Sequence, residues 1–315
     1  MRARLIVNPQ AGTDRALEFI TVINDKLRTV VGQLDITIPT GVEDAQRAAA
    51  QAVDEGCDAL YIAGGDGTLN AALRGLASRG APLLPVGVIP LGTGNDFAKA
   101  LGLGEEPGAA LDALLEARVI DVDLGALNDR PFANTSAGGF IADVSDSVTE
   151  TLKNTAGKLA YLVGGARALV GTEPFSARLS IHGDAGEPAS ASTLDVQLFA
   201  VCNARFIGGG YPIAPAALID DGLLDVLVVP RMPMLQFVGV LQRVSTGQHA
   251  GDPAVMHFRA AAFDLEFDRT VRVNTDGEVL DADHCHYRVR HRAACFFCGA
   301  QPQSSDAPHP WGPDR

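Results

Sequence analysis

YIAGGDGTLNAA, residues 61–72, sets three glycines and one aspartate between an apolar run and a helix-forming run. A strand-to-helix turn is served by a single glycine, so Gly64, Gly65 and Gly67 ask for a further reason. In open parallel sheets ligands sit beyond the carboxyl ends of the strands, where glycines let the backbone approach a phosphate closely. The helix that follows offers N–H groups and the positive end of its dipole. Two better-known phosphate loops do not fit. A P-loop ends in Gly-Lys-Ser/Thr, and no lysine stands here; a dinucleotide fingerprint needs a third glycine where Asn70 stands. A carboxylate beside phosphates repels them unless a divalent cation intervenes, so Asp66 points to a nucleotide bound with Mg2+. The plain alternative is a glycine-rich turn with Asp66 as a helix N-cap.

Outward from this stretch, strand and helix patterns alternate. ARLIVN (3–8), LDITI (34–38), ALYIA (59–63) and LLPVGVIP (83–90) read as strands. Ala16, Ile20, Ile23, Leu27 and Val30 form one helical stripe, and helices are predicted over 44–55, 69–78, 95–101 and 111–117. This alternation predicts a doubly wound parallel α/β sheet. After VIDVDLG (119–125) strand patterns dominate, at 131–136, 177–182, 193–202, 223–229, 261–267, 270–274 and 286–292. They predict a mostly antiparallel β domain, with 141–170 as its one long helical interruption. The polar, Pro-rich tail 301–315 reads as disordered.

Length and composition agree with two domains: 315 residues, 47% of them hydrophobic. A formal net charge of −13, with no run of Lys and Arg beyond the alternating RVRHRAAC (288–295), excludes nucleic-acid binding. The most apolar stretch, 222–242, is broken by Asp225, Arg231 and two prolines, so no membrane span is expected. The N-terminus lacks a signal-peptide layout, and five scattered cysteines suit a reducing cytosol. A cytoplasmic protein is expected.

Two more loops follow predicted strands: Asn8-Pro9-x-x-Gly12 and Pro90-Leu91-Gly92-Thr93-Gly94-Asn95-Asp96-Phe97-Ala98. With Gly64-Gly65-Asp66-Gly67-Thr68-Leu69-Asn70 they resemble the diacylglycerol kinase catalytic domain, most closely that of soluble bacterial lipid kinases. The resemblance runs over about residues 1–298. It implies an ATP-binding α/β domain over 1–125 and a C-terminal antiparallel β-sandwich that takes the lipid over 126–292. Residues 293–300 return to the first domain, and the active site lies in the interdomain cleft. It implies nucleotide contacts at Asn8, Pro9, Gly12, Thr40, Gly64, Gly65, Asp66, Gly67, Thr68, Asn70 and Thr93, with Asn95 and Asp96 in the third motif. Asp66 and Asp96 are the candidates for metal contact near the phosphates. Arg15 stands where the family often has a phosphate-binding lysine.

NARFIGGGYPIAPAALIDDGLLDV (203–226) resembles the family's second block. By that likeness a structural Mg2+ is held by the Asp221 carboxylate and the carbonyls of Leu218 and Leu223; a hairpin turn at Asp-Gly is the alternative. VRVNTDGEVL (271–280) reads by itself as a hairpin, and the resemblance makes Asp276, with Glu278, the catalytic base. The chemistry requires such a group, because a lipid hydroxyl must lose its proton while attacking the γ-phosphorus. Cys285, His286, Cys295 and Cys298 fit no paired zinc spacing, and AACFFCG reads as a last apolar strand. NTSAGGF (134–140) does not satisfy a nucleophile elbow around Ser136.

The leading expectation is therefore an ATP- and Mg2+-dependent lipid kinase acting on diacylglycerol or a related lipid. It would touch membranes peripherally, without an anchor, and homodimers are frequent in the family it resembles. An NAD kinase and a non-catalytic nucleotide- or lipid-binding protein are the alternatives.

Overall fold

The computed structural model describes residues 1–8, 15–80, 84–142, 174–182 and 188–305, with 15–18 and 188–189 described by backbone alone. Pro9, Gly12, the side chain of Arg15, nearly all of the expected helix 141–170 and the tail beyond 305 lie outside the described residues. The chain divides into two compact units: 1–124, 218–222 and 290–315 form the first, 125–217 and 223–289 the second.

In the first unit, strands β1 (Arg2–Val7), β2 (Gln33–Thr37), β3 (Ala59–Gly64) and β4 (Val86–Pro90) alternate with helices α1 (Arg15–Leu27), α2 (Val42–Asp54) and α3 (Asp66–Ala77). The strands are parallel in the order β2-β1-β3-β4. The chain thus leaves β1 first to one side and then to the other, which places a topological switch point between β1 and β3. β3 and β4 are buried along their whole lengths, as strands covered on both faces must be. Small residues let α2 and α3 pack closely; a Cβ on Gly75 would stand 2.1 Å from the Gln46 carbonyl oxygen. Short α4 (Asp96–Ala100), then α5 (Pro107–Leu115) and the first part of β5 (Arg118–Leu127), follow.

The second unit is antiparallel. Its strands are the end of β5, then β6 (Arg130–Phe132), β7 (Thr135–Gly139), β8 (Phe175–His182), β9 (Pro188–Cys202), β10 (Leu224–Pro230), β11 (Met256–Ala260), β12 (Ala262–Thr275) and most of β13 (Glu278–Cys298). Two long strands organise it. β9 pairs with β8 through Pro188–Val196 and with β7 through Leu198–Cys202; β12 pairs with β8 through Phe263–Phe267 and with β7 through Val273–Thr275. A register shift between Glu266 and Val271 bends β12 where it changes neighbour. Alternate residues turn inward, and Phe199, Phe263, Val273, Cys285 and Tyr287 join one sandwich core.

The two-domain, α/β-plus-β-sandwich expectation stands, with four corrections. Helix α6 (Met234–Ser245) is a helical segment that the expectation for this half did not include. Pro230 closes β10 and Pro233 starts the helix, whose Phe237, Val240 and Val244 are buried at helical spacing. The pieces 261–267 and 270–274 are one strand, because the bend absorbs the polar residues between them. The second domain is not continuous over 126–292: residues 218–222 belong to the first unit, where Asp123 N–H donates to the Ile219 carbonyl at 2.6 Å. Residues 301–305 are not a loose tail. Gln303 donates its N–H to Ala100 and accepts from Ile219, and the Ser305 hydroxyl donates to Asp220 at 2.9 Å. Among the described residues no helix is long and apolar enough to cross a membrane.

Candidate functional site

The loops after β1, β3 and β4 are tied to one another. Asn8 donates from Nδ2 to Thr68 Oγ1 at 3.0 Å, and its N–H reaches the Ala63 carbonyl at 2.9 Å. Leu91 N–H donates to the Gly64 carbonyl at 3.0 Å. The glycines divide by role. A Cβ on Gly64 would lie 2.8 Å from Thr68 side-chain atoms, and one on Gly92 would lie 2.6 Å from Gly65 Cα. Gly65 and Gly92 are therefore required by the packing of loop on loop, and Gly64 by the turn back onto Thr68 at the start of α3. A Cβ on Gly67 would meet nothing within 4 Å. Among the described residues its backbone is left uncovered at the start of α3, where Thr68 N–H already donates to the Gly65 carbonyl at 3.0 Å.

Asp66 does not cap its own helix. Gly65 is the N-cap of α3 and makes no side-chain cap bond. The Asp66 carboxylate instead accepts the N–H groups of Asp96 and Phe97, each at 3.1 Å, and so caps α4 from thirty residues away. Asn95 takes a left-handed conformation (φ 52°) and closes the third loop on itself, accepting the Gly92 N–H at 2.9 Å and donating to the Gly92 carbonyl at 2.7 Å. Asp96 is buried, and Lys99 lies 3.4 Å from its carboxylate while also donating to the Gly94 carbonyl at 2.9 Å. Lys99 escaped the sequence reading, although Asp96 and Lys99 are spaced i, i+3 on a helical pattern.

The expected nucleotide residues differ in exposure, with Asn8, Gly65 and Asp66 half-buried and Gly64 buried. Thr68, Asn70, Asn95 and Asp96 are buried; Gly67, Thr93 and Thr40 are exposed. Asn70 is 3% exposed, and its Oδ1 finds no hydrogen-bond partner among the described residues. Thr40 stands before α2 and donates its N–H to Asp44 Oδ2 at 3.1 Å and its hydroxyl to the same oxygen. These bonds hold the Asp44 carboxyl below the usual carboxylate range. A hollow of about 360 Å3 opens there, lined by Thr40, Gly41, Val42, Glu43, Asp44 and Arg47.

In the second unit, Asp276 and Gly277 form a two-residue hairpin loop between paired Thr275 and Glu278, with φ of 47° and 90°. Positive φ at both positions is the turn that matches strand twist, which is why Asp-Gly occurs here. The hairpin reading of this stretch is borne out. The Asp276 carboxylate accepts N–H bonds from Ala133 at 2.6 Å, Asn134 at 3.1 Å and Thr135 at 2.9 Å, so the backbone fixes its direction. Asn203, fully buried, steadies the same segment by donating to the Ala133 carbonyl at 2.9 Å. Ser136 is buried and bonded to Thr275 and Tyr287, as befits a core hydroxyl and not a nucleophile.

Leu218 and Asp221 are half-buried within the segment that joins the first unit, and Leu223 begins the chain's return to the second. The neighbouring acids are built into the fold: fully buried Asp123 accepts from Gly222, Arg292 and His291, and Asp220 accepts from Ser305. Asp123 is a second residue the sequence reading missed; its signal was a carboxylate inside the apolar run VIDVDLG. The apolar end of the last strand packs as expected, with Ala294, Phe296 and Cys298 buried, and Cys285 is buried further up the strand. Burial, reinforced by Asp121, pushes the Cys295 thiol up to about 12, so it is not a ready thiolate ligand.

Compared with known families, residues 2–127 match the diacylglycerol kinase catalytic domain, and residues 135–294 match the YegS C-terminal NAD kinase beta sandwich-like domain. Proteins named diacylglycerol kinase in Staphylococcus aureus strains MRSA252 and Newman are 30% identical over 278 residues, covering 88% of this chain and 86% of theirs. A crystal structure of a Bacillus anthracis protein assigned as a diacylglycerol kinase superposes with a TM-score of 0.82 at 25% identity, covering 95% of each chain. A second one from the same organism has a TM-score of 0.75 at 22% identity and shares the fold.

Proposed function

The chain belongs to the diacylglycerol kinase family, and from that premise we propose that it moves the γ-phosphate of Mg-ATP to the hydroxyl of diacylglycerol or a closely related lipid, working transiently at the inner face of the membrane. The observation that supports the nucleotide half is the division among the glycines: Gly65 and Gly92 pack loop on loop, Gly64 packs on Thr68, and Gly67 alone of the four is uncovered by the described residues. A phosphate can approach there to contact distance of the backbone.

In this reading Gly67, Thr93 and the first-turn N–H groups of α3 receive the phosphates. The hollow beside Thr40, bordered by Glu43 and Asp44, suits the uncharged part of the nucleotide. Asp66 and Asp96 shape the platform and would help hold the Mg2+ that accompanies the phosphates. Bound there, the ion supplies neutralisation of phosphate charge. Asp276, aimed by its three N–H bonds and accompanied by Glu278, orients the lipid hydroxyl and takes its proton. A separate Mg2+ would be held by Asp221 with the carbonyls of Leu218 and Leu223; hard oxygen donors of this kind suit that ion, and Asp123 and Asp220 lie in the same part of the fold.

Gly67→Ala separates the nucleotide role from the fold. Its Cβ meets no atom of the described residues, so folded stability should stay level or rise by up to ~1 kcal/mol. The KM for Mg-ATP should rise roughly tenfold, a loss of about 1.4 kcal/mol. An unchanged KM contradicts the phosphate assignment. For the reaction itself, ADP release is measured with lipid micelles, with NAD and with neither. The proposal expects lipid-dependent release. Release only with NAD identifies an NAD kinase, and tight nucleotide binding without release identifies a binding protein.

A further inference from the structure

A cluster of metal-ligating side chains lies in the second unit, apart from every residue assigned above. His182 ends β8, Asp264 lies in β12, and His284 and His286 lie in β13. Asp264 and His286 are direct cross-strand partners in the antiparallel ladder, and His284 lies two residues from His286 on the same face. The flanking Phe263, Leu265, Cys285 and Tyr287 point the other way and are buried in the sandwich core. Strand alternation therefore brings three imidazoles and a carboxylate to the outer face of three adjacent strands. Cys285 is turned away from them.

The donor atoms converge. One ligand atom each from His182, Asp264 and His286 lie within 4.8 Å of one another. His286 Nδ1 is 2.8 Å and His284 Nε2 is 3.2 Å from Asp264 Oδ1, and His182 Nε2 is paired with Asp264 Oδ2. A tetrahedral ion with ligands at 2.0–2.1 Å sets its donors about 3.3 Å apart, which is the scale of this cluster. Asp264 and His182 are 18% and 17% exposed, so the inner ligands are largely shielded while the outer two admit an ion from solvent.

We propose that His182, Asp264 and His286, with His284 as the fourth ligand, bind a borderline divalent transition metal of the zinc class. Nitrogen-rich donors select such an ion over Mg2+, which prefers an all-oxygen shell. The site is structural: it ties β8 to β12 and β12 to β13. An alternative use of the same four side chains is a set of surface ion pairs around Asp264, worth little to stability.

The test uses untagged full-length chain stripped with chelator and held at neutral pH in excess Mg2+, so that oxygen sites are already taken. Zn2+ is titrated by calorimetry, and Co2+ by its visible ligand-field absorption. The proposal expects one equivalent bound, an intense tetrahedral-type Co2+ spectrum and a raised melting temperature. Asp264→Asn or His286→Gln should weaken Zn2+ binding at least 100-fold and abolish the thermal shift, and His284→Gln should weaken it about tenfold. Melting of each metal-free variant checks its folding, and His182→Gln replaces any variant that does not fold. Absence of stoichiometric Zn2+ binding, or binding and thermal shifts equal in wild type and variants, overturns the proposal.

Discussion

Replacing Asp276 with Asn is expected to lower lipid phosphorylation by roughly 10²- to 10⁴-fold, the contribution of a positioned general base, while Mg-ATP still binds. The geometry qualifies how that result is read. The carboxylate already accepts three backbone N–H groups, from Ala133, Asn134 and Thr135. An amide in its place must turn its NH2 toward at least one of these donors. The variant should therefore also lose about 1–3 kcal/mol of stability, the cost of one unsatisfied buried donor. The two effects separate experimentally, because stability changes the folded fraction and not the turnover of folded enzyme. Turnover per folded molecule within tenfold of wild type would show that Asp276 holds the hairpin and nothing more. Phosphoryl transfer asks little of its base: the proton leaves late, after the hydroxyl has been aimed. Backbone aiming of Asp276 matches that demand.

Asp66→Ala carries the second largest effect. It removes the acceptor for the Asp96 and Phe97 N–H groups and so releases the start of α4 from the loop after β3. The third loop then shifts relative to Gly67, and a displacement of about 1 Å at a reacting phosphate costs on the order of 10² in rate. kcat/KM for Mg-ATP should fall by about that factor, with lipid KM little changed. Asp66→Asn keeps one acceptor oxygen and should fall between the two. Unaltered nucleotide kinetics in Asp66→Ala would remove Asp66 from the site. Raising Mg2+ does not restore the variant if the defect is loss of loop anchoring; full rescue by Mg2+ would instead mark Asp66 as chiefly a metal contact.

Much of the first unit was legible from local pattern. β3 and β4 are continuous apolar runs between glycines and helices, and buried parallel strands leave that signature. The three loops were legible as motifs, but not the division of labour among their glycines. Gly65 and Gly92 touch across the gap between two loops, and a sequence string does not carry that distance. The same limit hid the true partner of Asp66: a cap on its own helix is local and expected, whereas a cap on α4 is set by how the loops pack. α6 was missed because its apolar residues follow a strand with only Pro230–Pro233 between, so one hydrophobic run concealed two elements. Residues 218–222 and 301–305 are held by bonds to Asp123, Ala100 and Asp220, all long-range contacts. The histidine cluster is likewise a product of strand register, since His182, Asp264 and His286 are far apart along the chain.

The destination of one phosphate decides the matter. With ATP carrying 18O on its γ-phosphate and diacylglycerol in mixed micelles, the mass of the lipid product follows that group directly. The account predicts a lipid phosphomonoester that retains the three terminal 18O atoms, formed by wild type and nearly absent with Asp276→Asn. Label recovered only in free phosphate or in phosphorylated NAD, with the lipid unmodified, would contradict it.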